Sequence, residues 1–355
     1  MKMRVTFFSV VPSPYQRDLF AALAARSEVE LSVYYLEAAA PDSPWPEKPL
    51  ASYESILPGR WFALGTARCH VNWPLPDLRE QDIVVLNTMV NSPTGQWLMR
   101  TSLRRKRWAF WGEKLSGPNF LRDRFTAPLR RASAIVGIGT VASRDYGMRF
   151  PEPRHFSIPY HCDLAPFLAR PRRVRSDGSV VFIFCGQMIA RKGVDVLLTA
   201  FSSLGENARL LLVGREAELP GLMAALPEKV RARIEYAGFQ PPDALPGFFG
   251  RADVFVLPSR YDGWGVVVNQ ALGAGLPVLC SEAVGAGHDL VRRDVNGATF
   301  PVGDAAALRT EMQRLLDAPG LIERWGAASR EMAQEYLPER GAERWVEALG
   351  EICAA

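Results

Sequence analysis

Histidine and cysteine are both sparse in this 355-residue chain, at four and five residues. The cysteines (Cys69, Cys162, Cys185, Cys280 and Cys353) are far apart, and no pair has metal-ligand spacing. Their odd number and scatter exclude a disulfide framework and predict reduced thiols in a cytoplasmic protein. No apolar run reaches the roughly 18 residues that a helical membrane span needs. The N-terminus, Met1-Lys2-Met3-Arg4 followed by Val5 to Val11, imitates a signal peptide. Its apolar part stops at Pro12-Ser13-Pro14 without a small-residue cleavage site, so a first β-strand is expected. Excess charge of one sign is also lacking, at a net +4 overall, so the chain is not a polyelectrolyte.

The charge is nevertheless unevenly placed. From Arg100 to Arg131 there are ten basic residues, opposed only by Glu113 and Asp123. Two readings stay open: a solvated helical face, or a patch for an anionic membrane or a diphosphate-bearing acceptor. No aromatic–basic interleaving accompanies it, so nucleic acid is not expected as a partner. Hydrophobic content of 48% and charged content of 23% suit a globular protein, and the length suits two domains.

Short apolar runs alternate with helical periodicity through both halves, the signature of parallel strands with crossover helices. The strands expected in the first half are Val5–Val10, Val29–Tyr35, Asp82–Leu86, Trp108–Trp111, Ala134–Ile138 and His155–Ile158. The second half should hold Ser179–Cys185, Ala208–Val213, Ile234–Tyr236, Val254–Leu257, Pro277–Cys280 and Ala298–Phe300. Between Ala38 and Pro76 the chain is rich in Pro, Trp and Ser, and an irregular excursion with short edge strands is expected. The stretch from Phe167 to Gly178 reads as an interdomain linker.

The most informative stretch runs from Pro258 to Ser281. An apolar run precedes it, a second apolar run closes it, and between them lie a glycine-punctuated loop and a helix expected over Gly265–Gly273. Ligands of open α/β sheets bind past the carboxyl ends of strands. The loop carries Asp262, whose bland role would be to cap the helix. The N–H groups of Gly263, Trp264, Gly265 and Val266 are candidates to face a phosphate or a sugar. Gln270 lies one turn further on. A second loop, Gly186-Gln187-Met188-Ile189-Ala190-Arg191-Lys192-Gly193, follows the first strand of this half and opens another helix.

These two loops resemble the donor-sugar motifs of the retaining GT-B glycosyltransferases of family 4. That family's pattern is Pro-Ser, two variable residues, Glu-Gly-Phe/Trp-Gly, an apolar run, Glu-Ala and Gly-Leu-Pro-Val. Its two glutamates have seven residues between them; here Asp262 and Gln270 keep that spacing. The first loop is similar to the family's Gly-Arg-Leu…Lys-Gly-Val-Asp-Leu-Leu, with Lys192 at the Lys and Gln187 at the Arg. Arg191 is the neighbour that would restore the missing charge. The resemblance extends to Gly214-Arg215 after the second strand. It also extends to Gly238-Phe239, where Phe239 would either stack near the base or pack in the core.

The resemblance implies two Rossmann-like domains facing across a cleft, residues 1–166 and 167–336, with residues 337–355 as a helix crossing back to the first. It implies transfer of a sugar, with retention, from a nucleotide-sugar to a hydroxyl on a glycan or lipid-linked acceptor in bacterial polysaccharide or glycolipid biosynthesis. A UDP-sugar is the first choice of donor, and dTDP- or GDP-sugars are the alternatives. Asp262 would position the sugar, Lys192 would stabilise the leaving diphosphate, and Gln270 would hold the ribose. An amide offers one acceptor oxygen where a carboxylate offers two, which also fits a 2′-deoxyribose donor. Tyr15 and Gln16 are the acceptor-side candidates, with Ser13 as the N-cap of their helix. Glu113, at a strand end where many relatives carry a functional His, is a third catalytic candidate. His161, in Ile158-Pro159-Tyr160-His161-Cys162-Asp163, matches the family's hinge pattern. No metal is expected, because no Asp-X-Asp is present, and no cofactor beyond the nucleotide-sugar co-substrate. The expected location is cytoplasmic, peripheral at the inner membrane face through residues 100–131. Because Gln187 and Gln270 both stand where the family carries charge, a catalytically silent glycosyltransferase-like binding subunit is the alternative.

Overall fold

The computed structural model describes residues 2–39, 48–64, 67–87, 89–115, 120–170 and 178–354. The chain divides into two compact units, residues 1–162 with 338–355, and residues 163–337.

Among the described residues, the first unit holds nine strands: β1 (Met3–Ser9), β2 (Val29–Tyr35), β3 (Glu54–Ile56), β4 (Gly59–Leu64), β5 (Ala67–Asn72), β6 (Ile83–Asn87), β7 (Trp108–Gly112), β8 (Ala134–Gly137) and β9 (Arg154–Ser157). Seven of them form a parallel sheet in the order β3-β2-β1-β6-β7-β8-β9. Strands β6, β7 and β8 are buried along their whole length, because helices cover both faces of such a sheet. The remaining pair, β4 and β5, is a separate antiparallel hairpin. It and the edge strand β3 fall within the expected excursion, whose residues 40–47 and 65–66 lie outside the described ones. The helix Pro338–Ala354 returns to this unit and buries Trp345, whose ring lies 5.1 Å from Phe7 and 5.3 Å from Trp111.

The second unit holds β10 (Val180–Cys185), β11 (Ala208–Val213), β12 (Ile234–Tyr236), β13 (Val254–Leu257), β14 (Val278–Ser281) and β15 (Gly297–Phe300). They form one parallel sheet in the order β12-β11-β10-β13-β14-β15. The order reverses between β10 and β13, so the crossovers leave those two strands in opposite directions. Loops after such strands diverge and leave room for a ligand at their carboxyl ends.

Several local expectations are corrected. The helix after the Asp262 loop spans Val267–Gly273, not Gly265–Gly273, because Gly265 is held at φ +93°, outside helical space. A further helix runs over Gly285–Leu290, after β14. Ser13 stands at the N-cap of Pro14–Ala24, but its side chain makes no capping bond. The helix Ala165–Leu168 takes in the first two residues of the expected linker, whose residues 171–177 lie outside the described ones.

Candidate active site

The loops after β10 and β13 meet. The turn Ala190–Lys192 ends in Gly193 at φ +71°, and a Cβ there would lie 2.1 Å from the Pro258 carbonyl oxygen. Only glycine lets the two loops approach this closely. Backbone and side chains then tie them. The Arg260 N–H donates to the Arg191 carbonyl at 2.7 Å, and the Arg191 guanidinium donates to the Tyr261 carbonyl at 2.9 Å. Arg260 forks onto both carboxylate oxygens of Asp195 at 2.8 and 2.6 Å, from the start of the helix Val194–Ser202. This bond holds the Asp195 carboxyl below the usual carboxylate range.

Inside that frame, Lys192 Nζ donates to Asp262 Oδ2 at 2.5 Å, with 15% and 11% of the two side chains exposed. The Ser259 hydroxyl donates to the same oxygen at 3.3 Å. Asp262 therefore does not cap the helix, as the bland reading had it. Its backbone bridges to the loop after β14: the Asp262 N–H donates to Ala283 at 3.2 Å, and the Gly285 N–H donates to the Asp262 carbonyl at 3.1 Å. A Cβ at Gly285 would lie 2.2 Å from the Gly263 carbonyl oxygen, so this contact too depends on glycine.

Trp264 is buried, and its indole N–H donates to Asn269 Oδ1 at 2.9 Å. Its ring is therefore structural, and only its backbone is left as a candidate for ligand contact. Gln270, on the helix that follows, has a buried carbonyl oxygen with no hydrogen-bond partner. A buried unmatched acceptor is costly in itself.

The loop after β11 joins the same strand ends. A Cβ at Gly214, φ +137°, would lie 1.9 Å from the Gly186 carbonyl oxygen. The Met188 N–H donates to the Arg215 carbonyl at 2.9 Å. Gln187 and Arg215 are half-buried there, as are Gly265 and Val266. Phe239 is 45% exposed, which rules out core packing for its ring. Cys185, at the end of β10, has its thiol pushed up to about 12 by burial, with Lys192 acting in the opposite sense, so it is not a nucleophile.

The first unit gathers its three candidates around one tyrosine. Tyr15 packs edge-on against Tyr160, with centroids 5.0 Å apart. The Tyr160 hydroxyl is held well above the usual range, by burial first and then by Tyr15 and Glu113, while a hydrogen bond from Gln16 acts the other way. Gln16 itself is buried. Its oxygen accepts from the Ser9 hydroxyl at 2.7 Å, and its nitrogen donates to Asn87 Oδ1 at 3.0 Å. The amide of Gln16 is thus engaged at the carboxyl ends of β1 and β6. Ser9 and Asn87 were not singled out in the sequence, because isolated polar residues at strand ends give no pattern. Beside the loop after β1 lies a cavity of about 690 Å³, lined by Val11, Pro14, Arg17, Lys48 and Tyr53 among others. His161, the hinge candidate, is fully buried within this unit. A Cβ on Gly341 of the last helix would lie 2.6 Å from its ring.

Residues 168–332, which carry both of the loops that meet at Lys192 and Asp262, match the family model of glycosyl transferases group 1. That match falls within the second unit, apart from the first unit's sequence. Among curated relatives, the chain is 29% identical over 177 residues to the lipopolysaccharide core biosynthesis glycosyltransferase LpsD of Rhizobium meliloti, covering 50% of each. It is 32% identical over 184 residues to a D-inositol 3-phosphate glycosyltransferase of Streptomyces griseus, covering 47% of this chain and 38% of that one. It is 25% identical over 182 residues to the alpha-D-kanosaminyltransferase of Streptomyces kanamyceticus, covering 50% and 45%. The chain thus spans about half or less of the length of these relatives.

Solved structures extend the likeness to the whole chain. Sucrose-phosphate synthase of Thermosynechococcus elongatus superposes with a TM-score of 0.75 at 19% identity, over 99% of this chain and 100% of that one. The Anabaena protein HepE in complex with UDP gives 0.73 at 15%, again over 99% and 100%. At such identities the likeness shows the fold, GT-B with two Rossmann-like units. Among the described residues, no group of three or more His, Cys, Asp or Glu could hold a metal ion, and no helix is long and apolar enough to cross a membrane.

Proposed function

We propose that this protein is a retaining glycosyltransferase that moves a sugar from a nucleotide-sugar to a hydroxyl of a glycan or lipid-linked acceptor. The observation that carries the reading is the Lys192–Asp262 pair, held at the strand ends where the sheet order reverses, inside the segment that matches glycosyl transferases group 1. A cation beside a carboxylate at that place suits a ligand with a diphosphate next to a polyol. Lys192 neutralises charge that develops on the leaving diphosphate, and Asp262 accepts hydrogen bonds from the sugar. Gln270 faces the ribose and Phe239 the base. The HepE structures with UDP and with UDP-glucose favour UDP as the nucleotide. Lys192, with Arg191 and Arg215 nearby, supplies the positive charge, and the reaction runs without a metal.

The first unit takes the acceptor, with Tyr15 and Glu113 beside Tyr160. Its exposed Arg100, Arg104, Arg105 and Arg107 lie on the chain beside Trp97, which is 54% exposed. This composition suits peripheral contact with an anionic membrane carrying a glycolipid acceptor. Binding to phosphatidylglycerol vesicles that weakens as salt rises supports that contact, and salt-independent binding or none refutes it.

The primary test is a thermal-shift screen with UDP-, GDP-, ADP- and dTDP-glucose at millimolar concentration, followed by donor turnover with and without a chelator. Saturating ligand at a hundredfold excess over Kd stabilises the folded state by about 2.7 kcal/mol. A shift with one nucleotide family and chelator-resistant turnover is the expected result. No shift with any donor overturns the reading in favour of a silent binding subunit.

A further inference from the structure

We infer that Asp262, through its bond to Lys192, makes this site select an intact nucleotide-sugar over the free nucleoside diphosphate left after transfer. The inference rests on the nucleotide-sugar reading above. An ammonium offers three N–H groups, and one of those on Lys192 is committed to Asp262 Oδ2 at 2.5 Å. The carboxylate is pinned from both sides. Its backbone is tied to Ala283 and Gly285, and Ser259 donates to the same oxygen. Any phosphate that reaches Lys192 therefore arrives beside a fixed negative charge.

The two ligand forms meet that charge differently. The distal phosphate of a nucleotide-sugar is esterified, carries one charge, and brings sugar hydroxyls that donate to a carboxylate. Those hydroxyls can replace the N–H that Asp262 loses when Lys192 turns to the phosphate. The terminal phosphate of a free nucleoside diphosphate has a second ionisation near pH 6, so it is largely a dianion at neutral pH. It offers no hydroxyl donors of a sugar, and it sits against Asp262 with like charge opposed. Attraction to Lys192 alone would favour the more highly charged product. The carboxylate reverses that order by adding repulsion against the wrong form and hydrogen bonds for the right one. One methylene less than glutamate keeps the carboxylate close to its own loop, where Lys192 reaches it.

The test is calorimetric titration of the full chain, as wild type, Asp262→Asn, Asp262→Glu and Lys192→Ala. Each is titrated with UDP, GDP, ADP and dTDP and with the glucose ester of each, and melting by circular dichroism checks that every variant is folded. For the nucleotide that binds best, the wild type is expected to prefer the ester. Asp262→Asn should bind the free diphosphate at least tenfold more tightly than the wild type, a change of about 1.4 kcal/mol. Its ester-to-diphosphate ratio should fall towards one. Asp262→Glu should retain the preference for the ester, and Lys192→Ala should weaken both forms. An unchanged ratio in Asp262→Asn, with nucleotides still bound, overturns the inference and leaves the proposed function standing. Absence of nucleotide binding in the wild type overturns both.

Discussion

Gln270 shows how a single atom carries information. Its buried carbonyl oxygen lacks a hydrogen-bond donor, although it lies one turn beyond a loop otherwise closely bonded. A ligand hydroxyl would satisfy it. An amide presents one acceptor where a carboxylate presents two, so a ribose diol is only half matched. Gln270→Glu is therefore expected to shift donor preference from dTDP-glucose towards UDP-glucose by about tenfold, roughly one ligand hydrogen bond. Competition between the two donors in a turnover or binding assay measures this, and an unchanged ratio refutes it. A second residue-scale expectation concerns pH. Burial pushes the Glu54 carboxyl up, but bonds from Arg17, the Tyr35 hydroxyl and the Ala51 N–H outweigh it and hold it below the usual value. A lowered carboxyl stabilises the fold above its unfolded pKa, and that contribution fades as pH falls through the folded value. Urea unfolding of wild type and Glu54→Gln should thus differ most near pH 7, and the difference should shrink as pH falls below the unfolded carboxyl value of about 4.3.

At the scale of elements, the candidate site is an arrangement of loops that glycine allows to touch. Gly193 against Pro258, Gly214 against Gly186, and Gly285 against Gly263 bring the loops after four strands together. Gly214→Ala would place a methyl 1.9 Å from a carbonyl oxygen at a backbone angle of +137°. It should cost about 2–4 kcal/mol, from steric strain together with the unfavourable dihedral. Gly221, in the helix Leu219–Ala224, has nothing within 4 Å of a Cβ, and its alanine variant should be neutral or stabilising by about 0.5–1 kcal/mol. Chemical denaturation of the pair separates a structural glycine from a replaceable one.

For the whole molecule, the division into two units gives the C-terminus its role. The last helix belongs to the first unit, and its Trp345 is fully buried against Phe7 and Trp111. Trp345→Ala should remove about 3–5 kcal/mol from the first unit. The second unit carries the residues that match the family model, so nucleotide binding by its loops should survive once the variant is held below its lowered melting temperature. Calorimetric scanning with and without nucleotide checks both halves of this expectation. Equal loss of stability and of binding would show that the units do not melt separately.

The sequence determined what depends on local periodicity and on short motifs. Alternating apolar runs placed the parallel strands of both sheets, and the Pro258–Ser281 and Gly186–Gly193 loops marked the candidate site, because strand–loop–helix chemistry is written in consecutive residues. Only the tertiary structure decided which side chains meet across that chemistry. Lys192 lies 70 residues from Asp262 and bonds to it. Asp195 lies 65 residues from Arg260 and holds the loop between. Gln16 closes on Asn87 across 71 residues. Such pairings follow from sheet order and crossover direction, which bring distant strand ends together, and no local pattern in the sequence records them.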